Sequence, residues 1–167
     1  MRLLRSLSVI LFAQWLAGCF ISEAPLIGPQ DAAFPFETIT YREPGSPIET
    51  TLTHEGDAYL VQSSDSSEIA QMRFRDLGDN LYLAQITGED RNGKLSTLYG
   101  VVRLNRGDMT AATYMAVGRD SLAQEGLRDC GDGILCIDDV DVYLKLAKAR
   151  IAANEEPDTV YEIVNAK

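Results

Sequence analysis

From about residue 36 to residue 117, short runs rich in β-branched and aromatic residues alternate with clusters of turn formers. The runs 36–42, 48–54, 58–63, 69–75, 81–87, 95–104 and 109–117 have the length and composition of strands. Between them lie Pro44-Gly45-Ser46-Pro47, Glu55-Gly56-Asp57, Ser63 to Ser67, Gly78-Asp79-Asn80, Arg91-Asn92-Gly93 and Arg106-Gly107-Asp108. Asn92-Gly93 is the strongest hairpin signal, because both residue types accept the positive φ of a type I′ turn. Alternation is cleanest in two runs. Ala70, Met72 and Phe74 share one face against Gln71, Arg73 and Arg75, and Leu98, Gly100, Val102 and Leu104 oppose Tyr99, Val101 and Arg103. One buried face and one wet face predict an antiparallel meander. Runs 81–87 and 109–117 are apolar or small on both faces, which predicts central strands or strands partly covered by a helix.

After residue 117 the period changes. Asp120 or Ser121 is placed to cap a short helix reaching Leu127, and a longer helix is predicted over 139–153. Asp138 stands at its N-cap position, with Asp139 and Asp141 in the first turn, where carboxylates suit the helix dipole. Val140, Tyr143, Leu144, Ala147 and Ile151 form one apolar stripe at helical spacing. Asn154 and Pro157 mark its end, and 159–164 reads as a last strand. The expected fold is α+β: a mainly antiparallel sheet, curved toward a barrel, with the C-terminal helix packed on it.

The N-terminus follows neither pattern. Arg2 and Arg5 precede a short apolar stretch from Leu7 to Leu16, which Ser8 and Gln14 interrupt, and small residues follow. This is the layout of a secretory signal, and the stretch is shorter than the ~20 apolar residues that span a bilayer. Leu16-Ala17-Gly18-Cys19 resembles the lipobox of bacterial lipoproteins. That resemblance covers residues 1–19 alone. It implies cleavage before Cys19, a diacylglycerol on its sulfur and a fatty acyl group, such as palmitate, on the new amino group. The residue after Cys19 is Phe20 rather than Asp, which in this family favours the outer membrane over the inner. Residues 20–35 carry Pro25, Pro29, Pro35 and Gly28 and no sustained period, the composition of a flexible tether. The expected division is therefore 1–18 signal peptide, 19–35 lipidated cysteine and tether, and 36–167 a single globular domain.

Composition narrows the function. Removing residues 1–18 takes two arginines and no acid from a chain of net charge −10, leaving −12 over 149 residues. Such a surface repels polyanions, so nucleic acid is excluded as a partner. Acidity fits solubility above an anionic membrane, or docking to a basic partner. With Cys19 given to lipid, Cys130 and Cys136 remain as two thiols for an oxidising compartment, and they enclose five residues with two glycines. Their disulfide would contribute about 2.4 kcal/mol by loop closure.

Catalytic groups are scarce. His54 is the only histidine and stands in a predicted turn, His54-Glu55-Gly56-Asp57. One histidine and no spare cysteine leave no zinc site of the usual kind. Asp129, Asp132, Asp138, Asp139 and Asp141 offer the oxygen ligands calcium takes, but not at EF-hand spacing. Turn formation and helix capping account for them more simply. Arg106-Gly107-Asp108 reads as a turn, and no phosphate loop, nucleophile elbow or dinucleotide fingerprint occurs. No catalytic residue, metal or free cofactor is expected. The expected function is a membrane-anchored, periplasm-facing lipoprotein that binds or scaffolds an envelope protein without catalysis. The alternatives are an inhibitor or immunity protein against a basic secreted enzyme, and a carboxylate-dependent hydrolase.

Overall fold

A computed structural model describes residues 20–22, 24–89, 95–114, 127–130, 135–137 and 139–167. The signal region with Cys19, the predicted short helix over 120–126, the Asn92-Gly93 turn, and Asp132 and Asp138 lie outside them.

Eleven strands are described: β1 (Phe20–Ser22), β2 (Thr38–Arg42), β3 (Glu49–Glu55), β4 (Ala58–Ser63), β5 (Ile69–Gly78), β6 (Leu81–Glu89), β7 (Leu95–Asn105), β8 (Thr110–Tyr114), β9 (Leu127–Asp129), β10 (Leu135–Ile137) and β11 (Thr159–Ala166). Helix α1 spans Val140–Ala152. Strands β2 to β8 form an antiparallel meander, and β11 closes it between β8 and β2. The result is an eight-stranded closed antiparallel barrel with a helix on its outside, so the fold is mainly β. Closure leaves no free edge among these eight strands.

Turn chemistry sets the register. Gly78, Asp79 and Asn80 all have positive φ, and Asp79-Asn80 supplies the two left-handed residues of a tight β5–β6 hairpin. Gly56, at φ 64°, opens the two-residue link between Glu55 and Ala58. Glu89 pairs with Leu95 at one end of the β6–β7 ladder and Leu81 with Arg103 at the other.

Alternation then sorts side chains between two cores. Ile39, Leu52, Tyr59, Met72, Phe74, Tyr82, Ala84, Leu104, Ala111, Tyr161 and Ile163 pack inside the barrel. A second core lies outside it, where Leu81, Leu83, Tyr99, Val101, Ala112 and Tyr114 meet Tyr143, Leu144 and Ala147 of α1. The helix stripe therefore does what its spacing predicts. The expected wet face of 98–104 is corrected here: Tyr99 and Val101 are fully buried, because α1 and the N-terminal segment cover that wall.

Two boundaries also move. The N-cap of α1 is Asp139, whose side chain accepts the Asp141 N–H at 2.8 Å, rather than Asp138. That register turns Tyr143, Leu144 and Ala147 onto the barrel. Leu127 opens strand β9 instead of ending a helix, and it is buried in the outer core. At the far end of α1, Asn154 takes positive φ, and Arg150 pairs with Glu155 and Asp158 at 2.9 and 3.2 Å, tying the helix to the start of β11. None of the helices among the described residues is long and apolar enough to cross a membrane.

The largest correction concerns residues 20–35. They are not a tether. Phe20–Ser22 forms β1, antiparallel to β7 on one side and parallel to β10 on the other. Ile27 is buried in the outer core, Pro29–Asp31 makes one 3-10 turn, and Ala33 bridges to Phe74 of β5. The folded unit extends back to Phe20. The prolines shape a fixed path here rather than a loose one, because side chains of the barrel satisfy the backbone groups that the segment itself leaves unpaired.

Candidate functional site: the barrel lumen and its strap

An eight-stranded barrel has an interior that side chains just fill, or that holds one small ligand. Here the filling is incomplete. A cavity of about 90 Å³ remains, with aliphatic and aromatic side chains from β2, β3, β5, β6, β7, β8 and β11 around it. Small residues Ala84, Gly100 and Ala111 leave the space, while Leu52, Met72 and Leu104 make its walls.

Polar groups enter at one end. Tyr41 and Tyr161 meet edge to face with centroids 5.2 Å apart, and Thr113 lines the cavity beside them. Burial pushes the Tyr41 phenol up to about 12, against a smaller opposing effect from its hydrogen bond with Thr50. Burial likewise raises Tyr161, and the neighbouring Tyr41 and Glu43 add to the shift. Both hydroxyls are thus held neutral, able to donate and accept hydrogen bonds.

The other end is crossed by the chain itself. Ala33 donates its N–H to the Phe74 carbonyl at 2.7 Å, and Glu37 donates its own to the Lys167 carbonyl at 2.7 Å. Between these points the chain spans the mouth from β5 to β2. Phe36 points inward and lines the cavity. The Tyr59 hydroxyl holds it from below, donating to the Phe36 carbonyl at 2.7 Å and facing the Phe36 N–H at 3.2 Å. Above, the Arg106 guanidinium lies 5.5 Å from the ring centroid. That is the place the structure gives to Arg106-Gly107-Asp108: a turn whose arginine covers the strap.

His54 belongs to the same mouth. It lies in β3 rather than in the turn, stacked on Phe34 with centroids 4.0 Å apart. Its Nε2 is 3.1 Å from the Gly56 carbonyl oxygen, and its Nδ1 is 3.9 Å from a Glu37 carboxylate oxygen. These contacts make it part of the strap's seat.

Upstream, the strap is fixed to the barrel's outer wall. Gln85 Oε1 accepts the Ile27 N–H at 2.7 Å, and the Tyr99 hydroxyl accepts the Leu26 N–H at 2.9 Å. Ser22 Oγ lies 2.9 Å from the same hydroxyl and donates to the Ala24 carbonyl. Among the described residues, every buried side-chain nitrogen and oxygen has a partner.

No family model, curated protein or solved structure matches this chain. Cys130 and Cys136 are joined in a disulfide with Cα atoms 5.8 Å apart, beside β1, where Ile21 pairs with Cys136. Asp139 is occupied as a helix cap, and Asp141 lies 3.5 Å from Arg75. Among the described residues no cluster of three or more His, Cys, Asp or Glu side chains is placed to hold a metal ion. Sequence reasoning missed Tyr41, Tyr161, Phe36, Tyr59 and Gln85. The signal available was an unusual density of tyrosines on inward-facing positions, which the period-2 alternation assigns only once barrel closure is known.

Proposed function

We propose that the chain is a membrane-anchored envelope protein whose barrel binds a small, mainly apolar ligand carrying one hydrogen-bonding group. The carrying observation is the incompletely filled lumen, apolar over most of its wall, with Tyr41, Thr113 and Tyr161 as its hydroxyl-bearing lining residues. Concave, mostly apolar pockets with a few convergent polar groups are the usual form of small-molecule sites. An apolar cavity of about 150 Å³ stays dry and takes up benzene, so this smaller one suits a group of a few heavy atoms.

Short alcohols test it, using the chain from residue 20 onward, which contains every described element. Following lumen methyl signals of Leu52, Met72 and Leu104 by NMR, affinity should rise roughly fourfold per methylene, matching ~0.8 kcal/mol of burial, until the cavity is full. Ala84→Leu should abolish the response. Shifts confined to the exposed Leu95 and Met109, with no length cut-off, would contradict the proposal.

The anchor is the second half of the reading. It is supported by the lipobox-like Leu16-Ala17-Gly18-Cys19, and the placement facing the periplasm, in the outer membrane, follows from that resemblance. Cys19→Ala should move the protein from the membrane to the soluble fraction. A variant that still pellets and resists extraction would refute the lipid.

An inhibitor of a basic secreted enzyme is the alternative, favoured by one feature. Glu37, Glu55, Asp57, Asp79 and Asp108 are all exposed at the strap end of the barrel. A muramidase assay with and without the domain separates it from ligand binding.

A further inference from the structure

We infer that residues 33–37 are a releasable strap over the lumen, with Phe36 as its plug, and that its departure admits apolar ligands larger than the closed cavity holds. This rests on the lumen being a binding site. Every other residue lining the cavity belongs to a strand of the closed barrel. Phe36 alone lies on non-strand backbone, between Ala33 and the first residue of β2. Its departure therefore enlarges the cavity without breaking the barrel.

The attachments are few and local. Tyr59 clamps the Phe36 carbonyl and N–H through a single hydroxyl. The flanks are held by Ala33 to Phe74, Glu37 to Lys167, and the His54 N–H to the Glu37 carbonyl at 2.9 Å. Phe34, more than a third exposed, stacks on His54 from the solvent side. Segments with few buried contacts and exposed backbone bonds open at lower free energy than a core sheet. Pro35 keeps Phe34 extended, so the strap moves as a short stiff unit. Upstream, Ile27 and Leu26 stay pinned by Gln85 and Tyr99, so the motion is confined to the stretch after the 3-10 turn.

The coupling is quantitative in form. When only a fraction of molecules is open, apparent affinity for a large ligand falls by that fraction. Two changes raise it in different ways. Tyr59→Phe removes the clamp and leaves the ring and the lumen as they are. Phe36→Ala removes the plug itself.

The probe is N-phenyl-1-naphthylamine, neutral and larger than the closed cavity, added to the chain from residue 20 onward. Near-ultraviolet circular dichroism reports intact packing. The expected result is binding at least roughly tenfold tighter in Tyr59→Phe and Phe36→Ala than in the parent, as removal of a closed-state penalty requires. Adding Ala84→Leu should cancel it, and the Phe36 amide should exchange faster in Tyr59→Phe. Equal binding by parent and variants would overturn the strap while leaving the lumen as a site. Failure of folded variants to bind the probe would also overturn the strap, and the short-alcohol series would then judge the lumen by itself. If Phe36→Ala does not fold, Tyr59→Phe decides.

Discussion

Gln85 Oε1 accepts the backbone N–H of Ile27 at 2.7 Å, and both residues are only 1% exposed. A glutamine in the middle of a barrel strand is thus the receptor for a segment 58 residues earlier in the chain. The same oxygen receives the Tyr99 hydroxyl at 3.2 Å. Gln85→Leu would leave a buried N–H without a partner, at a cost of about 1–3 kcal/mol. Urea unfolding should show that loss, and limited proteolysis should newly cut between residues 22 and 33. Unchanged stability and an uncut segment would mean that the bond does not hold the N-terminal segment to the barrel.

Loss of the disulfide should act on the same region. Replacing both Cys130 and Cys136 by Ser should remove about 2.4 kcal/mol, the loop-closure contribution. Because Ile21 pairs with Cys136, backbone amides of β1 should also exchange faster. Protection of β3 and β4, on the far side of the barrel from β1, should change only by the global loss.

Alkali provides a separate test. Tyr41 titrates near 12 in the folded chain and near 10 when unfolded, because burial disfavours its anion. Tyr161, Tyr59 and Tyr99 are raised too, with burial as the leading cause in each. The folded state then holds protons that the unfolded state releases. Stability should be fully present below about pH 10 and fall as pH rises through 12. Tyr41→Phe should flatten part of that fall. A stability curve level from pH 9 to pH 12 would show these phenols to be solvated.

The outer core should be as sensitive as the lumen. Leu144, 6% exposed, packs under α1 against the barrel wall. Leu144→Ala should cost about 2–5 kcal/mol by loss of buried surface and cavity formation. The neighbouring Lys145, exposed to solvent, should tolerate alanine within about 0.5 kcal/mol.

The eight barrel strands and α1 were legible because each carries its own period and its own turn chemistry. Asp79-Asn80 and Gly56 sit where local rules put them. The N-terminal segment was not legible for the opposite reason. Pro25, Gly28, Pro29 and Pro35 satisfy the composition of a linker, and nothing local reveals that Gln85, Tyr99 and Tyr59 supply their neighbours' hydrogen bonds. Only barrel closure brings those side chains to residues 26, 27 and 36. The wet face assigned to Tyr99 and Val101 failed likewise, since α1 and the segment around Leu26 and Ile27 cover it from distant parts of the chain. The cysteine pair was legible from spacing, whereas the lumen was not, because its size depends on strand count and shear rather than on any motif.

The most direct test of the lumen is a crystal structure of the domain under xenon pressure. Ordered xenon is expected inside the barrel, within contact of Met72, Leu104 and Tyr161. A lumen without xenon, filled instead by repacked side chains or by hydrogen-bonded water, would contradict it.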